Sequence, residues 1–218
     1  MILEIYQNIL YFLHLTLKTE VLWIIFPLFI ATIIMLFYFE KYKDERPGWN
    51  THVANSLVLL FVSVILFRSI YNLDEAGLIN FINYLSKFIV SLIILLIGII
   101  ILLLNFEHFL PEKIAKYISS PLTLNLIAYV VILYVYSDIQ NGWGIFISLL
   151  IIFLLLITIL NLIRIPLRNL FWYIKKMKEQ EKVEQIKQDK KPIQEKEKEI
   201  KKIEKVVKKE KKETKSRR

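Results

Sequence analysis

The chain has 218 residues, 56% of them hydrophobic and 22% charged, with no cysteine and a formal net charge of +9. That average excludes an ordinary soluble domain, being too apolar overall and too charged at one end. The absence of cysteine excludes a disulfide framework, a thiolate nucleophile and any Cys-ligated zinc, haem or iron–sulfur centre.

Eight Lys and Arg and ten Asp and Glu precede Arg164, a net of −2, whereas the last 55 residues hold twenty-one and ten, a net of +11. The partition reads as a membrane body carrying a basic tail. At the start, Ile2–Leu17 is rich in Ile, Leu, Tyr and Phe but is interrupted by Glu4, Gln7, Asn8 and His14. It predicts an interfacial helix within residues 1–20, with a short sixth span as the other reading. A secretory signal fits poorly, since there is neither a basic leading region nor a small-residue cleavage site.

Crossing about 30 Å of hydrocarbon takes roughly 20 apolar residues at about 1.5 Å each. Five intervals are long enough and free of Lys, Arg, Asp and Glu: Val21–Phe39, Pro47–Phe67, Phe88–Phe106, Tyr117–Ser137 and Ile139–Ile163. Backbone groups in lipid must bond within their own segment, so these are helices. A β-barrel strand alternates apolar and polar residues, whereas Leu92–Leu104 is apolar on every side. The expected fold class is all-α, a polytopic transmembrane bundle with spans at about 21–39, 50–71, 88–106, 120–137 and 144–163.

After the first span, Glu40–Ser56 combines charge, a Pro47-Gly48 turn and a polar entry to the second span. Asn50 or Thr51 is placed to cap that helix. His52, Asn55, Ser56 and Ser63 share one side of it by their spacing, and polar groups in a span face protein or a water-filled cavity. With Asn50 and Arg68 they are the candidate ligand residues; the alternative is a helix cap plus interhelical hydrogen bonds. Arg68, in the span's outer turn, either snorkels to the interface or forms a gate with Asp74, Glu75 or Asp138. Asn125 and Asn161 read as interhelical bonding groups and Gly98 as a close-packing point.

Leu73, Ala76, Ile79 or Asn80, Ile82 and Leu85 recur at helical spacing, with Asp74, Glu75, Asn83 and Lys87 pointing elsewhere, which predicts an amphipathic surface helix. The connection from Glu107 to Tyr117 is expected to be part helical, with Pro111 at its first turn. His108 and Glu112 lie four residues apart, on the same deduced membrane face as Glu40, Asp44 and His52. Imidazole and carboxylate groups together suit zinc or manganese, so these five residues are the candidate metal ligands. No His-Glu-x-x-His, Walker lysine loop or Gly-x-Ser-x-Gly elbow is present, so catalysis is not the leading expectation and no cofactor is called for.

Beyond the last span, Arg164–Lys178 interleaves cations with aromatics, a composition suited to the lipid headgroup level. Arg164, Arg168, Trp172, Tyr173, Lys175, Lys176 and Lys178 are the expected membrane-surface contacts of a juxtamembrane amphipathic helix. Residues 179–218 are nearly all Lys, Glu and Gln, and read as a frayed helix or disordered polyampholyte. Ile193, Ile200 and Val207 are seven apart, a coiled-coil hint cut short by Lys196 in the seam. Ten Lys and Arg fall on the segments that share a side with the near tail and three on the other, so the N-terminus is expected outside and the C-terminus in the cytoplasm of a cell-membrane protein.

This layout resembles that of the membrane insertases related to those of the mitochondrial inner membrane, some of which hold ribosomes with a basic tail. Those proteins carry a cytoplasmic helical hairpin after the first core span and an arginine in a hydrophilic groove. Here the matching loop is only Glu40–Arg46, and Arg68 lies toward the opposite face. The likeness is architectural and assigns no family.

The leading expectation is therefore a non-catalytic anchor or scaffold whose tail binds anionic lipid headgroups, a ribosome or RNA, or a protein partner. Runs such as Glu195-Lys196-Glu197-Lys198-Glu199 largely neutralise themselves and weaken the nucleic-acid version. A small transporter, channel or insertase using the polar stripe comes second, and a metal-dependent membrane enzyme third.

Overall fold

The computed structural model describes residues 2–42, 48–139 and 142–216, with side chains described to residue 186. In chain order the helices are α1 (Ile2–Thr16), α2 (Thr19–Lys41), α3 (Trp49–Tyr71), α4 (Asn80–Asn83), α5 (Leu85–Phe106), α6 (Glu112–Ile118), α7 (Pro121–Tyr136) and α8 (Trp143–Ser216), with no strand among the described residues. The fold is an all-α bundle. Residues 1–167 form one compact unit and residues 168–218 a second.

Five segments are long and apolar enough to cross a membrane: Thr19–Lys41, Trp49–Tyr71, Leu85–Phe106, Glu112–Tyr136 and the apolar part of the segment Trp143–Ile186. The 23 residues of α2 or α3 extend about 35 Å, more than the hydrocarbon thickness. The outward-facing side chains fit this reading: Trp23, Phe29, Phe61, Val64, Leu96, Ile100 and Leu154 are all exposed, a surface that lipid covers without penalty and water does not.

The first unit is held by α3 packed along α5 and α7, with α2 against α7. Leu59, Leu66, Ile70, Leu124, Ile132, Leu133 and Val135 are buried at its centre. Gly98 allows the closest approach: a Cβ there would stand 2.9 Å from Leu60 Cδ2 and 3.1 Å from Leu59 Cβ, so α5 rests directly on α3. Helix α1 has 15 residues, about 22 Å, too short to span. It buries Phe12 and Leu15, and Ser148 of α8 donates to its Ile5 carbonyl at 3.2 Å.

The fourth span is broken. Helix α6 ends at Ile118 and α7 begins at Pro121, because Ser120 must take an extended backbone (φ −61°, ψ 125°) before a proline. The 16 residues of α7 cover about 24 Å, and α6 with the break supplies the remaining depth.

The amphipathic surface helix expected from Leu73 to Lys87 is replaced by a turn followed by the four residues of α4. The buried Asn80 explains the difference. Its Nδ2 donates to the Tyr71 and Glu75 carbonyls at 2.9 and 3.1 Å, and the Gly77 N–H also donates to Tyr71 O, so the chain is drawn back onto the end of α3.

In the second unit the residues from Arg168 are helical to Ser216. Leu170, Trp172, Tyr173, Ile174 and Met177 are exposed, and Lys176 Nζ lies 5.2 Å from the centre of the Trp172 ring. The heptad positions Ile193, Ile200 and Val207 and the Lys/Glu runs lie outside the residues whose side chains are described.

Candidate functional site

Where α2 ends and α3 begins, the bundle gathers polar side chains from five segments. Asn105 of α5 is wholly buried and its Nδ2 donates to Ser119 Oγ at 2.7 Å, to Ser56 Oγ at 2.9 Å and to the His52 carbonyl at 3.4 Å. Asn55 Nδ2 donates to the Ser119 carbonyl at 2.9 Å, and Ser56 Oγ returns to the His52 carbonyl at 2.9 Å. Glu40, at the end of α2, accepts from Arg164 Nε of α8 at 3.1 Å; its side chain is 7% exposed and that of Arg164 45%.

Between these groups is a cavity of about 200 Å³ lined by Phe39, Glu40, Tyr42, His52, Asn55, Lys116, Ser119, Ser120, Pro121 and Arg164. His52 is 2% exposed, and neither ring nitrogen has a hydrogen-bond partner among the described residues. Trp49 packs edge-on to its ring at 5.9 Å.

The candidate stripe on α3 therefore divides. Asn55 and Ser56 are committed to neighbouring helices or to their own backbone, and Ser63, although buried, donates to Leu60 O within α3 at 2.7 Å. Asn50 is exposed, and the N-cap position belongs to Gly48 rather than to Asn50 or Thr51. Of the stripe, only His52 and Asn55 line the cavity.

The metal candidates disperse in a similar way. His108 adopts φ 54° at the end of α5, where the Phe109 and His108 N–H groups reach back to the Leu104 and Asn105 carbonyls at 3.0 and 3.3 Å, a Schellman-type helix end. Its ring stacks on Trp49 at 4.3 Å. Glu112 opens α6, where a carboxylate suits the positive end of the helix. Asp44 lies outside the described residues, and among those described no three His, Asp or Glu side chains gather as a metal site would need. Glu40 and His52 alone share the cavity.

At the opposite end, Arg68 lines a larger cavity of about 1150 Å³ with Lys18, Glu20, Ser69, Tyr136 and Asp138. Of its expected partners, Asp138 pairs with Lys18 at 3.6 Å and Asp74 accepts from Tyr84 at 3.0 Å. Lys87 donates to the Ser137 carbonyl at 2.7 Å. Of the membrane-surface candidates, Arg164 is joined to Glu40 in the first unit, whereas Arg168, Trp172, Tyr173, Lys175, Lys176 and Lys178 belong to the second.

Sequence reasoning missed Asn105, Ser119 and Lys116 as partners of this end. Asn105 and Ser119 stood at the edges of apolar intervals, where a polar residue reads as interface. No family model, no curated protein and no solved structure matches the chain.

Proposed function

We propose that this is a non-catalytic multi-pass membrane anchor that brings a basic cytoplasmic segment to an anionic surface, foremost the lipid headgroups of its own membrane. The observation that carries the reading is the separation of charge, −2 before Arg164 and +11 from there on. Each Lys or Arg near an anionic leaflet contributes about 1 kcal/mol, and the contribution decays within about 8 Å at physiological salt. The exposed Trp172 and Tyr173 beside Lys175, Lys176 and Lys178 add the aromatic component of such a surface. The ten-to-three distribution of Lys and Arg supports an outside N-terminus and a cytoplasmic tail.

The test uses the full chain in neutral micelles, titrated with anionic vesicles, zwitterionic vesicles and ribosomes across a salt series, beside a chain ending at Met177. Binding to anionic vesicles that weakens with salt and falls on truncation supports the reading. No binding at low salt to any of the three removes it, and preference for ribosomes moves the tail's partner to RNA or protein.

A second reading, passage of a small solute, is favoured by polar cavities at both ends of the bundle, with α3 lining each. The absence of natural cysteine makes single-Cys labelling clean. Reaction of Ser63→Cys with a small membrane-impermeant thiol reagent would favour passage; protection there while Asn50→Cys reacts would exclude an open route along α3.

A further inference from the structure

We propose that the cavity between Glu40, His52 and Arg164 is a binding site for a phosphate group. Of the basic C-terminal segment it uses only Arg164, which lies in the first unit; the residues from Arg168 onward belong to the other.

Three independent features of the lining point to that chemistry. The first is His52, buried to 2% exposure, at the wall of the cavity with no partner on either ring nitrogen among the described residues. A buried imidazole always carries at least one N–H, and a buried donor left unmet is costly, so an acceptor reaching the ring from the cavity is what it lacks. The second is charge. Among the described residues, Lys116 and Arg164 line the space with a single carboxylate, Glu40, giving that lining a net positive charge before His52 is counted. Glu40 engages Arg164 through Nε, and a guanidinium carries four further N–H donors on its terminal nitrogens, in the fork that matches a phosphate.

The third is the break before α7. Ser120 and Pro121 line the cavity, and Ser120 makes no side-chain cap. The first-turn N–H groups of a helix have no acceptor within it and form its positive end. The helix starts at the cavity wall, where its dipole favours an anionic group although Pro121 itself has no N–H to donate. A metal cation fits less well, since it would meet two cations and a carboxylate already in an ion pair. The volume of about 200 Å³ is below the roughly 300 Å³ at which drug-sized ligand pockets begin, which suits a small group.

The phosphate can belong to a lipid headgroup or to a free solute. The chain's three histidines, His14, His52 and His108, make the distinction measurable. The full chain, labelled with ¹⁵N-histidine and held in a phosphate-free maltoside detergent, is titrated with inorganic phosphate, with lysophosphatidic acid and with the matching monoacylglycerol. Signals are assigned by His52→Gln. The expected result is a saturable shift of the His52 ring signals with a phosphate-bearing probe, none with monoacylglycerol and none at His14.

A shift with both phosphate probes assigns the site to phosphate as such, and a shift with lysophosphatidic acid alone assigns it to a headgroup. Lys116→Gln, an exposed change that leaves the core intact, weakens the response about tenfold or more, as expected for loss of a charged hydrogen bond. The proposal is overturned if His52 fails to move with either phosphate probe, if the shift is indifferent to Lys116→Gln, or if zinc alone moves it.

Discussion

Asn105 joins three segments through one amide, and a double-mutant cycle with Ser56 measures that junction. The His52 carbonyl, which can only accept, faces Nδ2 at 3.4 Å and fixes which way the amide points. The same nitrogen then donates to Ser56 Oγ at 2.9 Å and Ser119 Oγ at 2.7 Å. Interhelical hydrogen bonds within membranes average about 0.6 kcal/mol and reach about 1.7, so the two bonds are together worth about 1.2 kcal/mol at the mean. Truncating a wholly buried side chain also removes packing, which puts Asn105→Ala at about 2 kcal/mol of lost stability. Ser56→Ala costs less, because its hydroxyl is also bonded to its own helix at the His52 carbonyl.

The coupling between the two changes isolates the Asn105–Ser56 bond. It is expected at about 0.6 kcal/mol, roughly threefold in the folding equilibrium. The assay is reversible unfolding of the full chain in mixed micelles with increasing dodecyl sulfate, followed by fluorescence of the four tryptophans. Ser63→Ala is the control: that hydroxyl donates only to Leu60 O of its own turn among the bonds described, so its coupling to Asn105 should be zero. A vanishing Asn105–Ser56 coupling, or one no larger than that of Ser63, would refute the assignment of Asn105 as the joint between α5 and α3.

Three further outcomes follow from the packing. Gly98→Ala places a methyl 2.9 to 3.4 Å from Leu59 and Leu60, including the Leu60 backbone nitrogen, and should cost about 1–3 kcal/mol in the same unfolding assay; an unchanged midpoint would mean that α5 and α3 stand further apart. Asn125→Leu should be nearly neutral, because Thr32, its acceptor at 2.8 Å, also donates to Leu28 O, and the space beside Asn125 is lined by Leu, Ile and Phe; a loss above about 2 kcal/mol would show that the amide bond matters more. The Tyr84 phenol, held by the Asp74 carboxylate, should titrate above the ordinary tyrosine range, and Asp74→Asn should return it toward that range when followed by ultraviolet difference absorption.

The spans were legible because lipid imposes a one-dimensional rule: a helix that must satisfy its own backbone across about 30 Å leaves an uninterrupted apolar run. The connections were not legible to the same degree, since their conformation is set by single contacts. The spacing of Leu73, Ala76 and Ile79 is compatible with a helix, but one buried asparagine, Asn80, binding two carbonyls outweighs the weak preference of a few exposed residues. His108 is a similar case. In sequence it was one of two groups four apart; in space it closes α5 in the left-handed conformation and stacks on Trp49, a role that local pattern does not encode. Periodicity did place His52, Asn55, Ser56 and Ser63 on one side of α3. It could not separate groups that meet a partner from the one left without a partner at the cavity wall, because the surroundings come from residues 40, 105, 116, 119 and 164.

Those partners converge for a reason that begins with Pro121. Proline forces Ser120 out of the helical region, so the fourth span cannot run unbroken from α6 into α7. In a continuous helix the Ser119 carbonyl would accept from the residue four places on; here it accepts from Asn55 instead, and the Ser119 hydroxyl faces Asn105. The same interruption puts Ser120 and Pro121, the start of a 16-residue helix, in the wall of the cavity that Arg164 also lines. One ring closure in the sequence thus supplies acceptors that hold α3 and α5 at this end, and also a stretch of the neighbouring cavity's wall. Asn55 and Asn105 are accounted for by the first consequence. His52 is not, and its unmet ring belongs with the second.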